Sequence, residues 1–176
     1  MFAAWDNYFM LLGAAAGSLI GLLFVVVTLT SGIERSRALR ASTIYLTPTL
    51  VHFAVTMVSS AVAVSPATPK VAAVILAVAA LMGLGNAVRT CLGIYEFAQG
   101  DNPPHWSDIW CYGGAPGAIY IGLIGTSAAA WMGWPLAVGA GAALLMILML
   151  VAIRNAWDLI TWMAPRGPSG TDQIPN

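Results

Sequence analysis

Long apolar runs alternate with short polar segments along most of this chain. About 20 consecutive apolar residues are enough to cross the hydrocarbon core of a bilayer as an α-helix. This pattern predicts an all-α fold, a polytopic transmembrane helix bundle with five spans. The expected spans cover residues 9–31, 44–64, 71–97, 115–132 and 136–163.

The polar segment between the third and fourth runs has a pattern of its own. Asn102 is suited to cap a helix that begins at Pro103. The tryptophans that follow would share one face. We therefore expect a short amphipathic helix near 103–112, lying in the membrane interface and ending at Gly113-Gly114. Residues 1–164 are expected to form a single transmembrane domain, and the Pro/Gly-rich residues 165–176 a disordered cytoplasmic tail.

Small and polar residues share one narrow face of the third predicted span. On a helical wheel this face carries Ala79, Gly83, Asn86, Thr90 and Gly93. Small and polar side chains in a membrane helix favour contact with other helices over contact with lipid. We therefore expect this face to look into the bundle.

The second predicted span carries a polar stripe of Thr49, His52, Thr56 and Ser59, which lie within about 80° of one another on a helical wheel. Two interpretations stay open. The hydroxyls bond to carbonyls of their own helix and the histidine to a neighbouring helix, or the stripe is wet and functional. With Asn86 and Thr90 of the third span, these residues are the candidates for a pore or polar path.

The first predicted span contains Gly13, Gly17 and Gly21, a doubled GxxxG pattern. Glycines at this spacing let the backbone of a second helix approach closely. The ridge is therefore expected to pack against another helix.

Composition places the chain far from soluble proteins, because 59% of its residues are hydrophobic, 8% are charged and the mean hydropathy is +0.82. The net charge is zero, so nothing favours nucleic-acid binding. The distribution of charge is informative, because cytoplasmic loops are enriched in Lys and Arg. With the first loop cytoplasmic, Lys70 alone lies outside, and the basic residues inside are Arg35, Arg37, Arg40, Arg89, Arg154 and Arg166. This predicts a multi-pass protein of the cell (inner) membrane with its N-terminus outside and its C-terminus in the cytoplasm.

Charged residues recur near the cytoplasmic ends of the third and fifth spans. These spans run parallel, so Arg89 and Arg154 are expected at the same depth, with Glu96 and Asp158 one to two turns further along. A charge cluster across the two helices is therefore expected. Arginines that extend to water singly are the alternative.

Motifs for catalysis, cofactor binding or metal binding are not recognised in the sequence. Cys91 and Cys111 form no CxxC pair, and the spacing of His105, Asp108 and Cys111 matches no metal-ligand pattern. We therefore assign no catalytic residue, metal or cofactor.

Three functions are compatible with this pattern. The first is a small membrane protein that self-associates to form a channel or transporter for an ion or small solute. The second is an accessory or structural subunit of a larger membrane complex, with the glycine ridge as its docking surface. The third is a membrane enzyme or sensor that uses the cytoplasmic charge cluster. The expected partners are the lipid bilayer and either further copies of the chain or a larger membrane complex.

Overall fold

Five helices make up the structure, a computed structural model that describes residues 3–30, 46–97 and 109–163. A short 3₁₀ turn, Ala3–Trp5, precedes the first helix, and a π-helical turn, Trp110–Gly114, directly precedes the fourth. The helices are α1 (Asp6–Thr30), α2 (Thr47–Val64), α3 (Pro69–Phe97), α4 (Ala115–Trp131) and α5 (Ala137–Met163).

The predicted all-α membrane bundle is confirmed, and each helix lies within a few residues of its predicted span. α1, α2, α3 and α5 are long and apolar enough to cross a membrane. α4 has 17 residues and is lengthened by the π-helical turn before it. The agreement has a simple cause, because the length of an apolar run fixes the length of a helix that must satisfy its own backbone in hydrocarbon.

α2 is the central helix of the bundle and packs against α1, α3 and α5. α4 packs between α3 and α5. The largest fully buried apolar side chains come from all five helices: Leu12, Phe53, Ile94, Tyr120 and Leu148. The middle of the bundle is therefore close-packed around α2, with α1 on one side and α4 on the other.

The two ends of the bundle are distinguished by their basic residues. One end, called here the Lys70 end, contains the start of α3 and the α4–α5 turn, and the Lys70 ammonium lies 5.5 Å from the ring centre of Trp131. The opposite end, the Arg154 end, contains the last turns of α3 and α5. The tryptophans whose side chains are described lie near these two ends and none lies midway: Trp5, Trp110, Trp131, Trp134 and Trp157.

α1 and α3 expose their apolar side chains on the outside of the bundle. Leu11 and Met82 are each 71% exposed, and similarly exposed residues run along both helices. A continuous apolar surface of this extent promotes aggregation in water, whereas in a membrane it contacts the lipid chains. The outer faces of α1 and α3 therefore suit a bilayer.

The segment around residue 110 differs from its prediction in one respect. Residues 109–112, the part of the predicted interfacial helix that the structure describes, do not stop at Gly113-Gly114. The chain continues through both glycines as a π-helical turn into α4. Gly113 lies against the Cys91 sulfur, where a β-carbon would collide with it. This glycine therefore allows the π-helical turn to pack closely against α3.

Several predictions fall on residues that the structure does not describe. These are residues 98–108, the tail 165–176, and Arg35, Arg37 and Arg40.

The glycine ridge of α1 faces α2 over half of its length. A β-carbon on Gly13 would lie 3.1 Å from the Ser60 β-carbon, and one on Gly17 would lie 3.6 Å from the Met57 sulfur. A β-carbon on Gly21 would have no neighbour within 4 Å in the part of the chain that the structure describes. The three glycines thus form a graded series within one chain.

This gradient predicts a graded cost for leucine substitutions. We expect Gly13→Leu to lower the free energy of unfolding by about 1–3 kcal/mol, because it overpacks the close contact with the Ser60 β-carbon, which cannot move without the α2 backbone. Gly17→Leu should cost less, because the flexible side chain of Met57 can move. Gly21→Leu is the matched control and should stay within about 0.5 kcal/mol of the unmodified protein. Reversible unfolding in mixed micelles measures all three, and an equal loss at Gly13 and Gly21 would contradict this assignment.

Candidate functional site

A histidine and a tyrosine form a pair in the middle of the bundle. His52 of α2 and Tyr120 of α4 are both completely buried. The Nδ1 atom of His52 lies 2.8 Å from the hydroxyl oxygen of Tyr120. The two ring centres are 5.6 Å apart, with the planes tilted by 50°. This hydrogen-bonded arrangement, called here the central pair, joins two helices that are far apart in sequence.

Gly83 of α3 makes room for the central pair. The Tyr120 ring lies so close to Gly83 that a β-carbon there would collide with three ring atoms. The small residue on α3 thus lets the large aromatic ring of α4 reach the histidine of α2. On the same face of α3, Thr90 is buried while Ala79 and Asn86 are half-buried.

The four residues of the α2 stripe are all buried inside a single chain. Thr49, His52 and Thr56 have no exposed surface, and Ser59 is 3% exposed. The hydroxyl of Thr56 donates to the carbonyl oxygen of His52 at 2.9 Å. In α3, Thr90 likewise donates to the carbonyl of Asn86 at 2.9 Å. The structure thus contains the two kinds of hydrogen bond that make up the first interpretation of the stripe: a histidine bonded across to a neighbouring helix and threonines bonded within their own helices.

Three polar atoms of the interior are buried without a hydrogen-bond partner among the described residues. They are His52 Nε2, Ser60 Oγ and Asn86 Nδ2. Buried polar groups in native proteins are nearly always paired, and an unpaired group inside hydrocarbon is costly. Each of these atoms therefore retains the capacity to bind a small polar molecule.

A cavity of about 40 Å³ lies between the central pair and the Lys70 end. All five helices contribute to its wall, which carries the hydroxyls of Ser59, Thr126 and Ser127 among apolar side chains. Thr126 and Ser127 both donate to the carbonyl oxygen of Leu123, at 3.0 and 2.8 Å. This cavity is called the chamber below.

Towards the Arg154 end, Asn155 of α5 holds the π-helical turn in place. Its Nδ2 atom donates to the carbonyl oxygen of Cys111 at 3.0 Å, and the hydroxyl of Tyr112 donates to the carbonyl of Asn155 at 3.1 Å. In the π register the N–H of residue 116 would bond to Cys111, as that of Ala115 bonds to Trp110. Residue 116 is proline and has no N–H, so Asn155 supplies the missing donor.

This arrangement predicts that the effect of Asn155 depends on Pro116. Asn155→Leu should lower the free energy of unfolding by about 0.6–1.7 kcal/mol, the range measured for side-chain hydrogen bonds in membrane bundles. Pro116→Ala restores an N–H near the Cys111 carbonyl, so Asn155→Leu should cost less in that background. A double-mutant cycle in mixed micelles measures this coupling, and equal costs in both backgrounds would contradict it.

Of the charge cluster expected across the third and fifth spans, the structure describes one ion pair, which lies within α5. Arg154 and Asp158 form an ion pair at 3.0 Å, with both side chains more than 40% exposed. Arg89 is exposed on α3. The turn at residues 110–114 packs against both α3 and α5 and lies between them. The Glu96 side chain, His105 and Asp108 lie outside the described residues. An exposed pair such as Arg154–Asp158 contributes about 1 kcal/mol at most.

Four residues of this interior escaped the sequence analysis: Ser60, Tyr112, Tyr120 and Asn155. Tyr120 is a single polar residue within an apolar run, Asn155 directly follows Arg154 at the end of one, and Tyr112 resembled an interfacial aromatic residue. One signal was available for Asn155, because an amide in a membrane span requires a hydrogen-bond partner. The identity of that partner depends on which helices are neighbours, which the sequence pattern does not specify.

These features define the class of protein. The chain is a small multi-span helical membrane protein with paired polar groups inside its bundle. No family model, curated protein or solved structure matches it. Its function therefore has to be inferred from the geometry of the interior.

Proposed function

We propose that the protein is a small membrane transport protein that passes a small polar solute through the interior of a single bundle. The central pair is the polar site that the solute must pass. The observation that carries this proposal is the Nε2 atom of His52, which lies on a completely buried ring and has no hydrogen-bond partner among the described residues.

The position of polar groups supports a path along α2. Thr49, Thr56 and Ser59 lie within one turn to two turns of His52 on the same buried side of the helix. Ionisable and hydroxyl groups inside a membrane bundle are costly and mark solute or proton pathways. A purely structural core would be equally well filled by apolar side chains.

Burial within one chain also bears on self-association. The polar residues already face each other inside one protomer, so a second copy is not needed to shield them. We propose self-association as packing between the outer faces, where β-carbons on Gly21 of α1 and Gly85 of α3 would have no neighbour within 4 Å among residues 3–30, 46–97 and 109–163. Open glycines permit close approach of another membrane helix.

The same two open glycines favour the second candidate, an accessory subunit docked on a larger complex. Native mass spectrometry after mild detergent extraction separates the two. A homo-oligomer favours the transport protein, in which each copy of the chain contains its own path. Co-purification of a larger protein favours the accessory subunit.

For location we propose the cell (inner) membrane with the N-terminus outside and the Arg154 end in the cytoplasm. Among the described residues, Arg89 and Arg154 lie at one end of the bundle and Lys70 at the other. This distribution supports the orientation through the cytoplasmic preference of basic residues. Cysteine labelling of intact cells at Thr68 and Ser36 is expected to modify the first position alone.

Transport is tested with the full-length protein in liposomes. Flux of protons, potassium ions and small neutral solutes is measured for the unmodified chain, for His52→Leu and for His105→Leu. We expect His52→Leu to abolish the flux and His105→Leu, the same substitution in the only other histidine, to preserve it. Absence of flux in the unmodified protein, or equal flux in all three, would reject the transport function.

A further inference from the structure

The chamber lies directly beyond the central pair in the direction of the Lys70 end. Ser59 lies seven residues after His52 in α2, and Ser127 lies seven residues after Tyr120 in α4. Two α-helical turns correspond to about 10 Å. The chamber and the central pair thus occupy successive levels of the same polar interior, with Thr56 between them on α2.

Hydrogen bonding restricts what the chamber can bind. The hydroxyl protons of Thr126 and Ser127 are both used in bonds to the carbonyl oxygen of Leu123. Each hydroxyl oxygen keeps lone pairs that accept hydrogen bonds. A guest molecule must therefore be able to donate hydrogen bonds to these oxygens.

Size and charge restrict the guest further. A cavity needs roughly 10–15 Å³ of this kind of volume to hold one water molecule, and the chamber measures about 40 Å³. It is too small for a hydrated ion or an organic solute of several heavy atoms. Among the described residues, its wall contains no Asp, Glu, Lys or Arg to compensate a fixed charge.

We propose that the chamber is a water-binding site, in which water molecules donate hydrogen bonds to Thr126 and Ser127. Water needs two to four polar partners in a buried site, and the two hydroxyls together with Ser59 supply that number. One part of this proposal rests on the proposed function: that the water in the chamber belongs to the path that leads to His52. Binding itself is tested without transport.

Radiolytic hydroxyl-radical labelling of the full-length protein in liposomes detects bound water, because radicals formed from that water oxidise the side chains beside it. The structure offers a matched pair on α5. Leu145 lines the chamber and Leu148, one turn away, does not, yet both are at most 3% exposed. We expect several-fold more oxidation at Leu145 than at Leu148.

Two variants test the part played by the hydroxyls. Thr126→Val combined with Ser127→Ala removes both acceptors at nearly constant volume and should reduce oxidation of Leu145 to the level of Leu148. Ser18→Ala combined with Thr28→Val is the control, because both of these exposed hydroxyls also bond to carbonyls of their own helix. This control should leave the oxidation of Leu145 unchanged.

Two labelling results would overturn the water-binding site. Equally low oxidation of Leu145 and Leu148 in the unmodified protein would show a dry chamber and overturn the proposal. Strong oxidation of Leu145 that persists in the Thr126→Val, Ser127→Ala variant would overturn it as well, because the hydroxyls would then not hold the water. If the variant does not fold, the comparison of the two leucines in the unmodified chain still decides. Labelling as expected without any flux would reject the transport function and leave the water site standing.

Discussion

Gly83→Ala is expected to lower the free energy of unfolding by about 2–3 kcal/mol, although alanine is the better helix former. The added β-carbon would collide with the Tyr120 ring, which is completely buried. Overpacking of this kind costs about 1–3 kcal/mol. Displacement of the ring also breaks its hydrogen bond to His52, which adds about 0.6–1.7 kcal/mol.

The matched control lies two residues further along the same helix. Gly85 is exposed, and a β-carbon there would have no described residue within 4 Å. Gly85→Ala should therefore leave stability unchanged or raise it by up to about 1 kcal/mol, the difference in helix propensity. Reversible unfolding in mixed micelles, followed by circular dichroism, measures both variants. A neutral Gly83→Ala would mean that Tyr120 is not held against α3 and that the central pair forms differently.

The sequence pattern was sufficient for the helices and for their inward faces. Apolar run length set the helix bounds, and helical periodicity placed Gly83 and Thr90 on the side of α3 that is buried. The ridge on α1 was visible as a spacing, but its gradient was not, because the gradient depends on how far α2 follows α1 beyond Gly17.

The contacts of the interior could not be predicted in full, because the sequence does not show which helices are neighbours. Equal depth suggested a charge cluster in which Arg89 and Glu96 of α3 meet Arg154 and Asp158 of α5, but depth does not show which helices are neighbours, and the turn at residues 110–114 packs against both α3 and α5. The same turn was expected to be a helix stop, because two successive glycines usually interrupt a helix. In the structure one of them instead allows close contact with Cys91.

The second large effect is expected in a double-mutant cycle on the central pair: the effect of Tyr120→Phe on the free energy of unfolding should change sign when His52 is replaced. Tyr120→Phe removes only the hydroxyl and leaves Nδ1 of His52 unpaired, so it should cost about 0.6–1.7 kcal/mol. His52→Leu removes the partner and leaves the tyrosine hydroxyl buried without one. In that background Tyr120→Phe deletes an unsatisfied group, and it should be neutral or stabilising.

The control for this cycle is Tyr112→Phe. Its hydroxyl is also buried and also crosses between helices, but it donates to the carbonyl of Asn155 and not to His52. Its cost should therefore be the same with and without His52→Leu, because independent sites add. Coupling of Tyr112 as strong as that of Tyr120 would mean that His52→Leu disturbs the whole bundle. Coupling confined to Tyr120 assigns the energy to the hydrogen bond between the two rings. If the proposed transport function holds, Tyr120→Phe should reduce the flux that His52→Leu abolishes, because the Tyr120 hydroxyl orients the histidine ring whose Nε2 atom we propose meets the solute.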